Sequence, residues 1–207
     1  MENEPVFKKE EVEEDYDVII RTPEEVFNNY QRDFNLPIEE LQTKSILDVG
    51  ANEGKFIRYI RENIGNDKAF ALEYQEIRTP KDRPQWWVVA NGLDIPFADE
   101  SFEIVTAHAY IPMFYQKGTR AIEELVRVGK RGGKLYVHGS TPEQIEQDLK
   151  IEERDEYESK ESKAKTLELT RKMLEGAKEY QIYYNNLRDH GFEVTQNDYV
   201  CIIKKPS

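Results

Sequence analysis

The sequence predicts an α/β fold: a mostly parallel, seven-stranded sheet with helices on both faces and a C-terminal antiparallel hairpin. Three observations predict it. Short apolar runs that stop at turn residues alternate with segments of helical periodicity, the pattern of a parallel sheet covered on both sides. The 207 residues suffice for one domain with a full core. The last two apolar runs, 192–195 and 199–203, are separated only by Gln196-Asn197-Asp198, short enough for a hairpin.

Residues 1–16 carry seven acids against Lys8 and Lys9, a net charge of −5, and read as an acidic flexible leader. Residues 17–207 read as a single domain. Thr22-Pro23-Glu24-Glu25 is a helix start: Thr22 caps, proline suits the first helical position, and Glu25 completes a capping box. Val26, Phe27, Tyr30 and Phe34 then form one apolar face, and Pro37 ends the helix. The run 45–50 reads as a buried strand stopping at Gly50, and 55–64 as a helix with Gly65 as its cap. The second to fifth strands are expected at 69–74, 86–90, 102–107 and 134–138, the fifth after a turn at 131–133. Pro80 and Pro84 argue against a regular crossover helix between the second and third strands. Ala121, Ile122, Leu125 and Val128 mark a helix over 118–128.

A charged helical insertion follows at about 141–188. Its first forty residues hold twelve acids and eight bases. Thr170, Met173, Ala177, Tyr180, Tyr184 and Leu187 step by three and four, which predicts a long helix with one narrow apolar stripe. The preceding part, 141–165, buries little and leaves the carboxyl edge of the fifth strand, so it is expected to act as a mobile lid; a solvated helix that never contacts substrate is the alternative.

Composition excludes several classes. The formal charge is −12, a poor match to a phosphate backbone, so no nucleic-acid partner is expected. Cys201 is the only cysteine, and His108, His138 and His190 lie 30 and 52 residues apart, so spacing predicts no metal site. No apolar run approaches the roughly 20 residues of a membrane span. The expectation is a soluble cytoplasmic protein whose oligomeric state the sequence leaves open.

In an open parallel sheet, ligands bind beyond the carboxyl ends of the strands. After the first strand stands Asp48-Val49-Gly50-Ala51-Asn52-Glu53-Gly54. Its glycines allow close backbone approach and positive φ, but it lacks the pyrophosphate fingerprint. Glu73 ends the second strand, nineteen residues after Gly54, where an acid can accept hydrogen bonds from ribose hydroxyls. The plainer reading is a strand-end carboxylate. A third stretch is Asn91-Gly92-Leu93-Asp94-Ile95-Pro96-Phe97, running on to Ser101-Phe102-Glu103. A fourth is Glu124-Leu125-Val126-Arg127-Val128-Gly129, ending in Gly132-Gly133.

In their order and spacing these four segments resemble the class I S-adenosylmethionine-dependent methyltransferases, especially the small-molecule branch typified by the quinone-biosynthesis enzymes. The resemblance covers about residues 45–140 and implies a Rossmann-like sheet and S-adenosyl-L-methionine as cofactor. It implies that Asp48, Gly50, Ala51, Asn52 and Gly54 surround the methionine moiety and that Glu73 holds the ribose beside Tyr74. Asn91, Gly92 and Leu93 would meet the adenine, and Ala107 and His108 the methionine amine and the transferred methyl. The sequence departs from the family at Asn52, where the family has its middle glycine, and at Asn91, where it has an acid. Gly129 and Arg131 replace a leucine and a proline.

The implied activity is methyl transfer to a small-molecule O, N or C nucleophile. His108 is the catalytic base candidate, with Tyr110 (and Tyr115) orienting the acceptor; a structural hydrogen bond explains His108 equally well, and His138 is a further candidate of the same kind. No D-P-P-Y-like sequence follows the fourth strand, which again disfavours nucleic acid. Two rival readings are a nicotinamide-dependent oxidoreductase on the same sheet, and an inactive cofactor-binding or interaction module.

Overall fold

A computed structural model describes residues 21–74, 84–108, 118–152, 159–197 and 200–207. The leader, and with it Pro80, Tyr110 and Tyr115, lie outside the described residues. Seven strands form one sheet: β1 (Ile46–Val49), β2 (Ala69–Glu73), β3 (Trp87–Val89), β4 (Phe102–Ala107), β5 (Gly129–His138), β6 (Glu193–Gln196) and β7 (Val200–Lys204). Their order is β3-β2-β1-β4-β5-β7-β6. The first five pair in parallel, with Ile46 opposite Ala69 on one side and Ile104 on the other. β7 runs antiparallel to both β5 and β6. This is the predicted architecture, and the strand order reverses between β1 and β4, where such sheets bind ligands.

Helices cover both faces. α1 (Pro23–Phe34) starts at the expected capping box: Thr22 N–H donates to Glu25 Oε2 at 2.6 Å, and Glu25 N–H to Thr22 Oγ1 at 3.2 Å. A short α2 (Ile38–Thr43) follows Pro37, an element the sequence reading did not contain. α3 (Lys55–Tyr59) runs into one π-helical stretch (Ile60–Ile64), and Gly65 closes it at φ +82°. Phe27, Tyr30 and Phe34 of α1 pack with Phe56, Ile57 and Ile60 against Ile46, Ala69, Ala71 and Ile104. On the other face α4 (Gly118–Val128) and α6 (Lys160–Asp189) bury Ile122, Leu125, Tyr180, Tyr184 and Leu187 against Leu47, Val49, Leu72 and Val105. Alternation along β1 thus feeds Ile46 and Asp48 to one layer and Leu47 and Val49 to the other.

One expectation needs correction. β5 begins at Gly129, directly after α4, so the turn expected at 131–133 lies inside the strand as an irregularity opposite Phe102 and Ile104. The reason is backbone crowding: a Cβ on Gly133 would meet the Lys130 and Glu103 carbonyls at 2.8 and 2.9 Å, and Gly132 sits at φ +68°. The insertion is helical, as expected: its first part forms α5 (Pro142–Glu152), packed on α6, with Ile145 buried. The stripe of α6 buries Thr170, Ala177, Tyr180, Tyr184 and Leu187 as predicted. Among the described residues no helix is long and apolar enough to cross a membrane.

Candidate active site

The turn after β1 alternates left-handed residues: Gly50 at φ +75°, Asn52 at +53° and Gly54 at +66°. Asparagine is among the few residues that adopt this region at low cost, so Asn52 keeps the backbone path of the glycine it replaces. The Gly50 and Ala51 N–H groups both donate to Leu72 O, at 2.9 and 3.0 Å, which ties the turn to β2. Gly54 has a packing reason of its own: a Cβ there would lie 2.1 Å from Cζ3 of the buried Trp87 indole.

Glu73, buried at the end of β2, accepts the Asn52 N–H at 2.9 Å through Oε2 and the Tyr74 N–H at 2.9 Å through Oε1. A carboxylate has about four lone-pair sites and can accept more than these two bonds. Tyr74 beside it is 68% exposed, an open aromatic face next to an acid. Asn91 Oδ1 accepts the Leu93 N–H at 3.0 Å. The amide therefore serves the turn as an acid would. Gly92 is buried beneath it and Asn91 exposed.

The third and fourth stretches are tied together by an acid–arginine clamp. Arg127 donates to Ile95 O and Phe97 O, each at 2.8 Å, and pairs with Glu124 and with Asp99. Glu124 in turn accepts the Ile95 N–H at 2.8 Å. Hydrogen bonds from Arg127 hold the Glu124 carboxyl below its usual range against the effect of burial. These motif residues brace the loop that carries Asn91, Gly92 and Leu93.

Asp48 is fully buried. It accepts bonds from Thr106 Oγ1 at 2.8 Å and from Tyr30 O–H, 3.1 Å from either carboxylate oxygen. Burial raises its carboxyl to about 7, opposed by those two hydroxyls and reinforced by Glu73. Ala107 is equally buried. Both side chains lie inside the fold, Ala107 in the opposite layer from Asp48, whereas Asn52 and Tyr74 are exposed.

His108 follows β4 at the carboxyl edge. The Tyr30 ring stacks on it at 4.7 Å, and on the other side His138, at the end of β5, stacks at 4.6 Å. Asp33 Oδ2 lies 2.8 Å from His108 Nε2. Burial raises the Asp33 carboxyl, but the hydrogen bonds and charges of Arg32 and His108 outweigh it and hold it below its ordinary range. An ionised Asp33 accepts, so Nε2 carries the proton and Nδ1 is the basic nitrogen. The sequence reading missed Asp33. Its signal was present: Asp33 is three residues after Tyr30 and next to Phe34, an acid on the edge of an apolar helix face.

On the opposite face a cavity of about 30 Å³, the room of roughly one water, lies beneath α5 and α6, lined by Val137, Gly139, Ile145, Tyr180 and Cys201.

Comparison with known proteins matches this geometry. The family described as methyltransferase domain matches residues 47–137. No curated protein sequence matches the chain. Similar solved structures include a protein from Pyrococcus horikoshii, at TM-score 0.56 and 15% identity, covering 88% of this chain and 92% of that one. The plantazolicin methyltransferase BpumL bound to S-adenosylhomocysteine is similar at TM-score 0.55 and 13% identity, covering 89% and 82%. A candidate S-adenosyl-L-methionine-dependent methyltransferase from Methanococcus maripaludis is similar at TM-score 0.53 and 19% identity, covering 88% and 84%. Residues 47–137 thus match the methyltransferase-domain family, and the chain has the fold of these solved structures.

Proposed function

We propose that this chain transfers a methyl group from S-adenosylmethionine to a small-molecule O, N or C nucleophile. The observation that carries the reading is the Asp33–His108 pair, which stands at the carboxyl edge of β4, the strand next to the glycine turn after β1. The donor set suits this cofactor: a bare-backbone turn, a carboxylate for ribose hydroxyls, an open aromatic ring and no phosphate-binding glycine pattern.

In this reading Gly50, Ala51, Asn52 and Gly54 hold the methionine part and Glu73 the ribose. Tyr74, Asn91, Gly92 and Leu93 hold the adenine, with Asp48 and Ala107 packed beneath. Bound S-adenosylmethionine supplies an electrophilic methyl on a cationic sulfonium. The protein's own contribution is orientation, exclusion of water and acceptance of a proton. Asp33 fixes the His108 tautomer, and His108 Nδ1 takes the acceptor's proton. α5 covers the carboxyl edge beyond β5. A single domain over 17–207, acting in the cytoplasm on a small molecule rather than on nucleic acid, completes the reading.

The test is calorimetry with S-adenosylhomocysteine. One molecule per chain is expected, and Glu73→Ala is expected to weaken binding by about 1–3 kcal/mol, the loss of charge-assisted hydrogen bonds. Unchanged affinity removes Glu73 from the site. A screen of metabolite pools with labelled cofactor then identifies the acceptor, and on that acceptor His108→Ala lowers kcat while leaving S-adenosylhomocysteine affinity near that of the unaltered chain.

A further inference from the structure

The acceptor side holds a second constellation. Asp33 from α1, His108 after β4 and His138 at the end of β5 each offer one ligand atom, and these atoms all lie within 4.8 Å of one another. All three side chains are partly buried. Three different elements deliver them, so their meeting is a product of the fold rather than of sequence spacing. We propose that Asp33, His108 and His138 form a site for a divalent transition-metal ion of the zinc, cobalt or nickel kind.

Two imidazoles and one carboxylate are the donors that borderline metals prefer, whereas magnesium and calcium prefer oxygen-only sites. A tetrahedral ion with bonds of about 2.1 Å needs ligand atoms roughly 3.4 Å apart. Asp33 and His108 already stand at 2.8 Å. Small side-chain rotations of about an ångström bring the outer pairs in. The ion takes His108 Nε2, Asp33 Oδ2 and a His138 nitrogen, and the proton that His108 Nε2 shared with Asp33 moves to Nδ1, so the imidazole stays neutral. Three protein ligands leave the fourth position of a tetrahedral ion open at the carboxyl edge. With the proton on Nδ1, a loaded chain no longer has its proton acceptor. That last consequence rests on the methyl-transfer reading; the binding itself does not.

The test uses the full chain with Co2+, without acceptor, in excess Mg2+ to suppress weak binding to the many acids. Expected are one ion per chain, the visible absorption of four-coordinate nitrogen-ligated cobalt, and displacement by Zn2+. His138→Ala, His138→Gln and Asp33→Asn are each expected to weaken binding tenfold or more; far-ultraviolet circular dichroism and S-adenosylhomocysteine binding report whether each variant is folded. Absence of that absorption in the unaltered chain overturns the proposal without recourse to any variant. Equal affinity in folded variants overturns it as well, because the ion then sits elsewhere. Cobalt binding with no methyl transfer to any acceptor would leave the metal site standing and sink only the enzymatic reading.

Discussion

Gly54→Ala isolates what the glycine turn is for. The sequence invites the view that this glycine is there to admit a ligand, but the structure gives it a second duty. At φ +66° a side chain is strained, at about 1–2 kcal/mol for the left-handed region. The new Cβ also lies 2.1 and 2.7 Å from Cζ3 and Cε3 of Trp87 and 3.2 Å from Trp86. Trp87 is only 3% exposed and packs with Phe56 and Ile57, so the indole has little room to swing away. Overpacking of this kind costs about 1–3 kcal/mol. The sum, about 2–5 kcal/mol, is a large part of an ordinary domain's stability. Urea unfolding of the ligand-free chain should show a lower midpoint with an unchanged slope. In a Trp87→Leu background the clash is gone, and Gly54→Ala should cost only the backbone part. A coupling of about 1–3 kcal/mol between the two sites is therefore expected. An equal cost in both backgrounds, or a cost below about 1 kcal/mol, refutes the packing account and returns Gly54 to the ligand alone.

Two further predictions concern the same edge of the sheet. The Asp48 carboxyl sits at about 7 in the fold against 3.8 unfolded, so the folded chain holds its proton more tightly. The stability this gives is complete below pH 3.8 and is lost as pH rises through 7. Relative to Asp48→Asn, the unaltered chain should lose on the order of 2 kcal/mol between pH 5 and pH 8, and a pH-independent difference in chemical denaturation contradicts the buried carboxyl. For α5, which follows the carboxyl end of β5, hydrogen exchange across 142–152 should slow when cofactor and acceptor are both bound; identical exchange in free and bound chain removes the lid role.

What was legible in the sequence was local. The capping box at Thr22, the strand at 102–107 and the helix over 118–128 follow from residues within one turn or one pleat of each other, and the structure places them there. The hairpin was readable for the same reason. Harder to read were the meetings across the fold. Asp33 and His108 are 75 positions apart, and His138 lies a further 30 on; only the parallel sheet, which puts the ends of β4 and β5 side by side, makes them neighbours. Asp48 stood in the right turn, but strand alternation sends its side chain inward to Tyr30 and Thr106. The start of β5 escaped because Gly132-Gly133 has the composition of a turn, while its geometry is set by carbonyls of Phe102, Glu103 and Lys130 from outside the segment.

The segment that matches the methyltransferase family runs from 47 to 137. It contains Glu73 and the glycine turn, and it stops one residue short of His138. Tyr30 and Asp33 lie before it, on α1. In the proposed reading the two halves of the site come from different parts of the chain: the half assigned to the cofactor is inside the matched segment, and two of the three polar groups assigned to the acceptor, Asp33 and His138, are in its flanks. On that reading, a change in α1 or at the tip of β5 would re-tune which molecule is methylated while the matched segment stays untouched. A trimmed 47–137 fragment would lose Tyr30, Asp33 and His138, and with them two of the three groups gathered at the carboxyl edge of β4 and β5.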